Sequence, residues 1–429
     1  MELSGKKLLI LGGIRSAKEI IAQARRQGVS IIVTDYLEDS PAKKYADQSF
    51  LVSTTDVPGV VDLIRRKKID GVITGFIDSL LPYYQEICEQ SGLPCYGTRE
   101  QFKITTNKAA FKNLCRAFDI PVVEDYAVPS DFTQDDIKAL PYPILIKPTD
   151  YSGARGALIC RNSKELTEKF PVSQKYSPSK TVLVEKYTNA DELHIHYLVQ
   201  DGEFTLAAMA DRHMSKESLD ILRLPVAYTY PSIHLDNYRQ NLEPKVIDML
   251  TSIGIQNGPL MIQAFVNNGK IIFYETGFRL NGTMEYKLIH KLNGINPMEM
   301  LINFALTGAM YDTRIKPLIN PQHDEWGFSL SILARPGKIH SILGVEAVRS
   351  YPGVLDVVPL YLPGETIPQS ALGTLSQIIL RIYCHSKTRQ DMAELMNKIY
   401  DSIRVIDTNG NDMLLDGFDT QALFQNQAY

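Results

Sequence analysis

PLMIQAFVNNGKIIFYETGFRLNG, residues 259–282, decides how this chain is read. Two short runs, MIQAFV and KIIFYE, flank Asn267-Asn268-Gly269. Asn-Gly between alternating apolar residues is a strong hairpin signal. Gln263 precedes the turn and Glu275 closes the second run, so a hairpin can set both on one face. Arg279 and Asn281 follow in a loop flanked by glycine. Two oxygen ligands on a rigid ribbon beside a guanidinium suit a Mg²⁺–triphosphate. Mg²⁺ takes few protein oxygens and completes its shell with phosphate and water, and the arginine fork matches an oxyanion. An amphipathic hairpin with a polar outer face would read the same way, so the remaining sequence has to decide.

The bulk composition narrows the field. The chain has 429 residues, enough for two to four domains and a large core. Hydrophobic residues make up 44% and charged residues 22%, as in ordinary globular proteins. The net charge of −4 gives no reason to expect nucleic acid or an anionic membrane as a partner. Apolar runs are too short for a membrane span. The opening MELSGKKLLILGG breaks at Gly-Gly, so it reads as a first strand and not as a signal peptide. The five cysteines are irregularly spaced with no C-x-x-C pair, which predicts free buried thiols and a cytoplasmic protein. His194 and His196 share a strand face, but no third ligand stands near them in sequence, so no metal site is assigned there.

The first hundred residues alternate strand and helix patterns. KLLILGG (6–12), VSIIVTD (29–35), DGVITGF (70–76) and the short LPCYG (93–97) read as strands. Helices are expected at 16–28, capped by Ser16, and at 57–69 and 78–92. This order implies parallel βαβ units. Asp35 lies where a dinucleotide fold places its ribose acid, which keeps a nicotinamide-dependent oxidoreductase as an alternative. Gly12-Gly13-Ile14-Arg15-Ser16 is not G-x-G-x-x-G, however. A strand-end loop feeding a helix still favours a small anion, so Gly12 and Gly13 are candidate substrate residues.

Farther on, a helix is expected over 106–123 with Lys108 in its first turn. A lysine there opposes the helix dipole, so it needs solvent or an anionic partner. ILIKP is a strand ending at Lys147-Pro148, and TDYSGARGA is a glycine-rich loop returning through ALIC. Ser152, Gly153 and Gly156 would let backbone N–H groups approach phosphate oxygens, with Lys147 supplying charge. Residues 180–210 read as three strands, with Glu185 ending the first and Glu192 opening the second. Asp211-Arg212-His213 leads into a long, polar, irregular segment reaching Ser232. Its length marks it as a functional loop, and Arg212 and His213 are candidate substrate residues. One helix is expected over 239–254, and two more within 285–308.

Together these motifs resemble the ATP-grasp superfamily, and within it the carbamoyl-phosphate synthetase, biotin carboxylase and amino-acid ligase branch. Asn107-Lys108 with FKNLCRAFDIPVV is similar to the entry helix, and ILIKP to the phosphate-binding strand. SGARG resembles the mobile glycine loop, VEKY the adenine hinge, and IQAF with YETGFR the metal hairpin. The resemblance runs over roughly residues 1–410. It implies an α/β chain, α+β overall. A Rossmann-like preATP-grasp parallel sheet would occupy 1–100. An ATP-grasp fold of two α+β subdomains would occupy 101–325, with 142–188 as a mobile lid. A C-terminal α+β closing domain would fill 326–415, before a tail at 416–429.

The resemblance also assigns roles. Lys108 and Lys147 would neutralise phosphate charge. Glu185 would accept from the adenine amine, with the backbone of Lys186 and Tyr187 completing that edge. Glu192 would hold the ribose. Gln263 and Glu275 would bind Mg²⁺ (or Mn²⁺), and Arg279 would stabilise the transferring phosphoryl group. The family usually shows E-x-N-x-R, whereas this chain has Glu275-Thr276-Gly277-Phe278-Arg279. Gly277 offers no ligand, and Asn281 is the candidate substitute. The activity implied is ATP-dependent, ADP-forming ligation of a carboxylate to an amine through an acyl phosphate. A non-catalytic ATP-binding module is the second alternative. The expected partners are small-molecule carboxylate and amine substrates, with no nucleic acid or membrane, and a homodimer as the assembly to test.

Overall fold

A computed structural model describes residues 1–216 and 222–425. The apolar runs of the first hundred residues form β1 (Lys7–Leu11), β2 (Ser30–Thr34), β3 (Gln48–Phe50) and β4 (Gly71–Ile73). They make a parallel sheet in the order β3-β2-β1-β4, with α1 (Ala17–Arg26) linking β1 to β2, α2 (Val57–Lys67) linking β3 to β4, and α3 (Leu81–Ser91) following β4. β1, β2 and β4 are almost wholly buried, as parallel strands with both faces covered must be.

Three local expectations change. Ser16 is already helical, at φ −66 and ψ −19, and makes no side-chain cap. LPCYG is not a strand. Instead Tyr96 packs edge-on against Phe102 and Phe278 and donates its hydroxyl to the Phe278 carbonyl at 3.0 Å, so aromatic burial overrides a weak strand signal. The helix expected over 106–123 is α4 (Arg99–Thr106) followed by α5 (Lys108–Ala117). Asn107 separates them, because its side chain accepts the Ala110 N–H and starts a new helix.

A second, antiparallel sheet contains β5 (Asp125–Tyr126), β6 (Ile144–Pro148), β7 (Leu158–Cys160) and β8 (Val182–Lys186), in the order β5-β8-β6-β7. Helix Ser163–Tyr176 covers it, and Ile144, Ile146, Leu166, Phe170 and Val184 give it a small core of its own.

The largest sheet is also antiparallel. β9 (Asp191–Gln200), β10 (Glu203–Met214) and β11 (Pro225–Tyr230) are followed by the hairpin β12 (Gly258–Asn267) and β13 (Lys270–Gly277). After them come β14 (Trp326–Leu333), β15 (Gly337–Leu343), β16 (Val354–Pro359), β17 (Thr366–Ile367), β18 (Ile378–Ser386) and β19 (Arg404–Asp407). The order is β13-β12-β9-β10-β11-β14-β18-β16, so one sheet carries the hairpin at one edge and C-terminal strands at the other. β15, β17 and β19 form a separate three-stranded sheet.

The segment expected to be irregular up to Ser232 is largely strand, since β10 runs on to Met214 and β11 begins at Pro225. Residues 217–221 of that segment, and 426–429 of the expected tail, lie outside the described residues. The helix expected over 239–254 is two helices, Leu235–Asn241 and Glu243–Ser252, broken at Leu242. Among the described residues no helix is long and apolar enough to cross a membrane. All five cysteines are free, and Cys88, Cys115, Cys160 and Cys384 are buried.

Candidate active site

The hairpin forms as its sequence dictates. Asn267 pairs with Lys270, leaving Asn268-Gly269 as a two-residue turn with φ of 49 and 74. Two positive φ values are what a type I′ turn requires. Gln263 stands opposite Glu275, as expected. The register then slips between Gln263 and Ala264, which leaves Tyr274 as an extra residue in β13. Such a bulge re-aims side chains. Here both Tyr274 and Glu275 line the cleft, beside Gln263 and Phe265.

The cleft has two connected halves. The first lies between the hairpin and the small sheet and is lined by Lys147, Glu185, Lys186, Tyr187, Glu192 and Tyr274, among others. The second lies against the N-terminal region, lined by Ile14, Phe76, Asp78, Thr283, Ser376 and Arg381. Among the residues that the halves share are Lys108, Ser152, Gly153, Arg155, Glu275, Arg279 and Asn281.

At the junction Lys108 finds the anionic partner its position demanded. Its Nζ lies 3.2 Å from Glu275 Oε1 and donates to the Tyr151 carbonyl at 2.6 Å. One buried ammonium therefore ties α5, the glycine loop and the hairpin together. Lys147 Nζ lies 2.5 Å from Glu185 Oε1, and the other Glu185 oxygen is 3.1 Å from Lys112 Nζ. Glu185 is 1% exposed, and both its oxygens are held by lysines. It is first a counter-ion that places Lys147, and an adenine amine would have to share an oxygen with a lysine. The Lys186 N–H is spent on the Glu124 carbonyl at 2.9 Å, so that donor does not read a base edge.

Sequence reading missed Lys112. It lies one helical turn after Lys108, and that i, i+4 spacing on α5 was the available signal. Burial lowers its pKa from 10.5 to about 8, with Glu185 opposing the shift. In the window between these values the unfolded chain binds the proton that the folded chain has lost, so this group makes stability rise with pH. Relative to a Lys112→Met variant, the wild-type unfolding free energy is expected to increase between pH 8 and 10.5. Denaturant titrations across that range check it, and parallel curves would refute it.

Glu192 makes a short ion pair with Arg212 and accepts the Tyr274 hydroxyl at 2.8 Å. Arg212 also donates to the Tyr274 and Tyr228 hydroxyls, at 2.9 and 3.2 Å. It thus belongs to the half of the cleft that contains Glu192. Phe265 and Tyr274 stack with centroids 4.6 Å apart, which offers an apolar face beside these polar groups.

Arg279 is buried and meets both Asp78 oxygens through Nε and Nη2, while Nη1 donates to the Leu280 carbonyl at 2.8 Å. Burial opposes its charge, but Asp78, Tyr96 and Glu275 together raise the guanidinium pKa above its ordinary value. Asp78, 201 residues away, was not singled out from sequence. Its only signal was its place just after a parallel strand, where such sheets bind ligands.

Several expectations need correction. The Gly12 N–H bonds the Thr34 carbonyl, and the Gly13 N–H bonds Asp35 Oδ2 at 2.6 Å, so neither donor serves a substrate anion. The same bond, with a second from the Leu37 N–H, commits Asp35 to bracing its own loop against the one after β1, and not to a ribose. His213 bonds Thr229 and packs at a tilt against Phe418 with centroids 4.3 Å apart, in a side pocket next to Arg389 that adjoins the cleft at Glu192 and Arg212. Gly156 is a packing residue, because a Cβ there would come within 2.8 Å of the Tyr176 ring and 3.0 Å of Pro148. Ser152 and Gly153 do line the cleft. Asn281 also lines it, although its amide turns to its own loop, 3.4 Å from the Thr283 N–H and 3.5 Å from Glu285.

The donor set fits a hard divalent cation. Gln263 and Glu275 are register partners on the cleft face and present amide and carboxylate oxygens, which Mg²⁺ prefers. Gly277 adds no donor, and a Cβ there would meet only Met261, at 3.5 Å. Behind Gln263 lies a buried group that the sequence did not bring together. His194 Nε2 meets the Gln263 amide nitrogen and His194 Nδ1 lies 3.2 Å from Glu285 Oε1, with His196 beside them. Glu285 is the third metal-capable group that seemed absent in the sequence. Burial pushes the His194 pKa well down and that of His196 down to about 4.

Residues 107–309 match the family model described as "Carbamoyl-phosphate synthase L chain, ATP binding domain". The formate-dependent phosphoribosylglycinamide formyltransferase of Sulfurisphaera tokodaii is 24% identical over 292 residues, 65% of this chain and 71% of that protein. The L-amino acid ligase from Bacillus licheniformis superposes with a TM-score of 0.75 at 18% identity, over 95% of this chain and 100% of that one. The biotin carboxylase domain of the Hydrogenobacter thermophilus 2-oxoglutarate carboxylase, solved with MgADP and bicarbonate, gives 0.74 at 16% identity, over 95% and 91%. Residues 107–309 are therefore an ATP-grasp domain of the carbamoyl-phosphate synthase large-chain type, within a chain whose fold is that of the amino-acid ligase and biotin carboxylase structures.

Proposed function

We propose that this ATP-grasp ligase joins a small carboxylate to an amine, forming ADP and phosphate through an acyl phosphate. The observation that carries the reading is the two-part cleft, whose halves meet at Lys108, Glu275, Arg279 and the glycine loop. A nucleotide in the half beside Glu192 would point its phosphates at that junction, and a second substrate would approach from the half beside Asp78. Similarity to proteins named as a formyltransferase dependent on formate and as an amino-acid ligase supports a carboxylate as the group activated.

In this reading a carboxylate oxygen attacks the γ-phosphorus, the bond to the β-γ bridging oxygen breaks, and ADP leaves. The amine nitrogen then attacks the acyl carbon, a C–N bond forms, phosphate departs and the amine loses a proton. Lys147 and Lys108 neutralise phosphate charge, and Arg279 steadies charge on the transferring group. The work is positioning and charge stabilisation. Gln263 and Glu275 would hold Mg²⁺, which supplies further neutralisation of phosphate charge. Residues 142–188 act as the lid. They share a small core with Ile137 and Tyr126 just upstream, so these residues would move with them as one body, and the bond from Lys108 to Tyr151 holds the glycine loop. Closure would shield the acyl phosphate from water.

Gly277 favours a second reading, a nucleotide-binding module without turnover. ADP release over a panel of carboxylates and amines decides between them. The expected result is turnover with at least one pair, at least 100-fold above a Lys147→Ala control, the scale of removing a charge-stabilising group. ATP binding with no turnover above that control, for any pair, would reject the ligase.

A further inference from the structure

We propose that His194 and Glu285 are positioning residues that set which end of the Gln263 amide faces the cation. The proposal rests on Gln263 being a cation ligand. His194 on β9 stands directly across from Gln263 on β12. The Gln263 amide nitrogen, Nε2, bonds His194 Nε2, and His194 Nδ1 lies 3.2 Å from Glu285 Oε1. A carboxylate only accepts, so the ring proton sits on Nδ1 and Nε2 offers a lone pair. That lone pair takes the amide N–H and turns the amide oxygen away from the ring. The two ends of an amide have nearly the same shape, yet only the oxygen binds Mg²⁺. A glutamate at this place would present oxygen either way and need no such device.

The relay is built to persist. His194 is fully buried and Glu285 is 3% exposed, so water does not compete for these bonds. The Thr283 hydroxyl also holds Glu285. The same three side chains, His194, His196 and Glu285, have ligand atoms within 4.8 Å of one another and could themselves hold an ion. The observations favour the relay over that site. Both His194 nitrogens already have partners, and Arg212 and Arg381 place positive charge against the ring.

The test is a double-mutant cycle read by calorimetric binding of ADP with and without MgCl₂. Glu285→Leu is expected to reduce the Mg²⁺-dependent gain in ADP affinity about tenfold, the usual cost of losing a partner behind a metal ligand. In a Gln263→Glu background the same change should cost less than about twofold, because a carboxylate has no wrong end. Equal losses in both backgrounds would mean a merely structural role and overturn the proposal. If Glu285→Leu does not fold, His194→Leu runs the same cycle. Nitrogen NMR of the wild type gives an independent readout, in which His194 must carry its proton on Nδ1. A metal ion that co-purifies stoichiometrically and is lost in His196→Ala would also overturn it. Gln263→Met separates the levels. If it leaves the Mg²⁺ gain intact, the cation reading itself fails. If it abolishes the gain while Glu285→Leu does nothing, only the relay fails.

Discussion

Replacing Glu275 with alanine is expected to lower ADP formation by about 10³-fold, the upper end for removal of one pre-placed charge-stabilising group. Two functions meet on this side chain. In the proposed site it is one of the two side chains that would hold the cation, and its Oε1 is the ion partner of Lys108 at 3.2 Å. Without it the cation keeps only an amide, and Lys108 keeps only the Tyr151 carbonyl. Nucleotide binding without Mg²⁺ should change little or tighten, because a freed ammonium attracts phosphate. Glu275→Gln keeps the shape but not the charge and should fall between the two. The measurement is ADP release over a Mg²⁺ titration. Full turnover of Glu275→Ala at saturating Mg²⁺ would remove the hairpin from the mechanism.

The hairpin was legible because its turn is local. Asn268-Gly269 fixes the turn and the register as far as Ala264 and Phe273, which alone would set Gln263 opposite Tyr274, and the bulge then brings Glu275 into that place. The fold was legible for a related reason, since buried strands and amphipathic helices alternate at their own periods. Lys108 was also readable, because a lysine at a helix start needs an anion. What escaped depends on contacts across long stretches of chain. Asp78 reaches Arg279 over 201 residues, and Lys112 reaches Glu185 over 73. The bulge at Tyr274 comes from strand pairing that no dipeptide announces. Glu285 is 91 residues from His194, so the pair of histidines looked incomplete. The errors were of the opposite kind. Gly12, Gly13 and Gly156 looked permissive, but their surroundings had already used their donors or their space.

Arg279→Ala should separate stability from chemistry. The change removes a guanidinium that makes two bonds to Asp78 and one to the Leu280 carbonyl. It leaves Asp78, whose side chain is 18% exposed, without its counter-ion. A cost of about 3 kcal/mol is expected, the low end for breaking a buried pair because Asp78 keeps some solvent. ADP formation should fall about 10²–10³-fold, since the lost charge borders both halves of the cleft. The Asp78→Asn/Arg279→Ala double variant removes the stranded carboxylate charge and should recover more than half of the lost stability. It should recover none of the activity. Arg279→Lys keeps a charge but cannot bond both Asp78 oxygens in the same geometry, so partial losses in both are expected. Thermal melts and steady-state rates on the four proteins make the comparison. If the double variant turned over like the wild type, Arg279 would be a strut for the fold, and the charge that steadies the transferring phosphoryl group would have to come from Lys108 and Lys147.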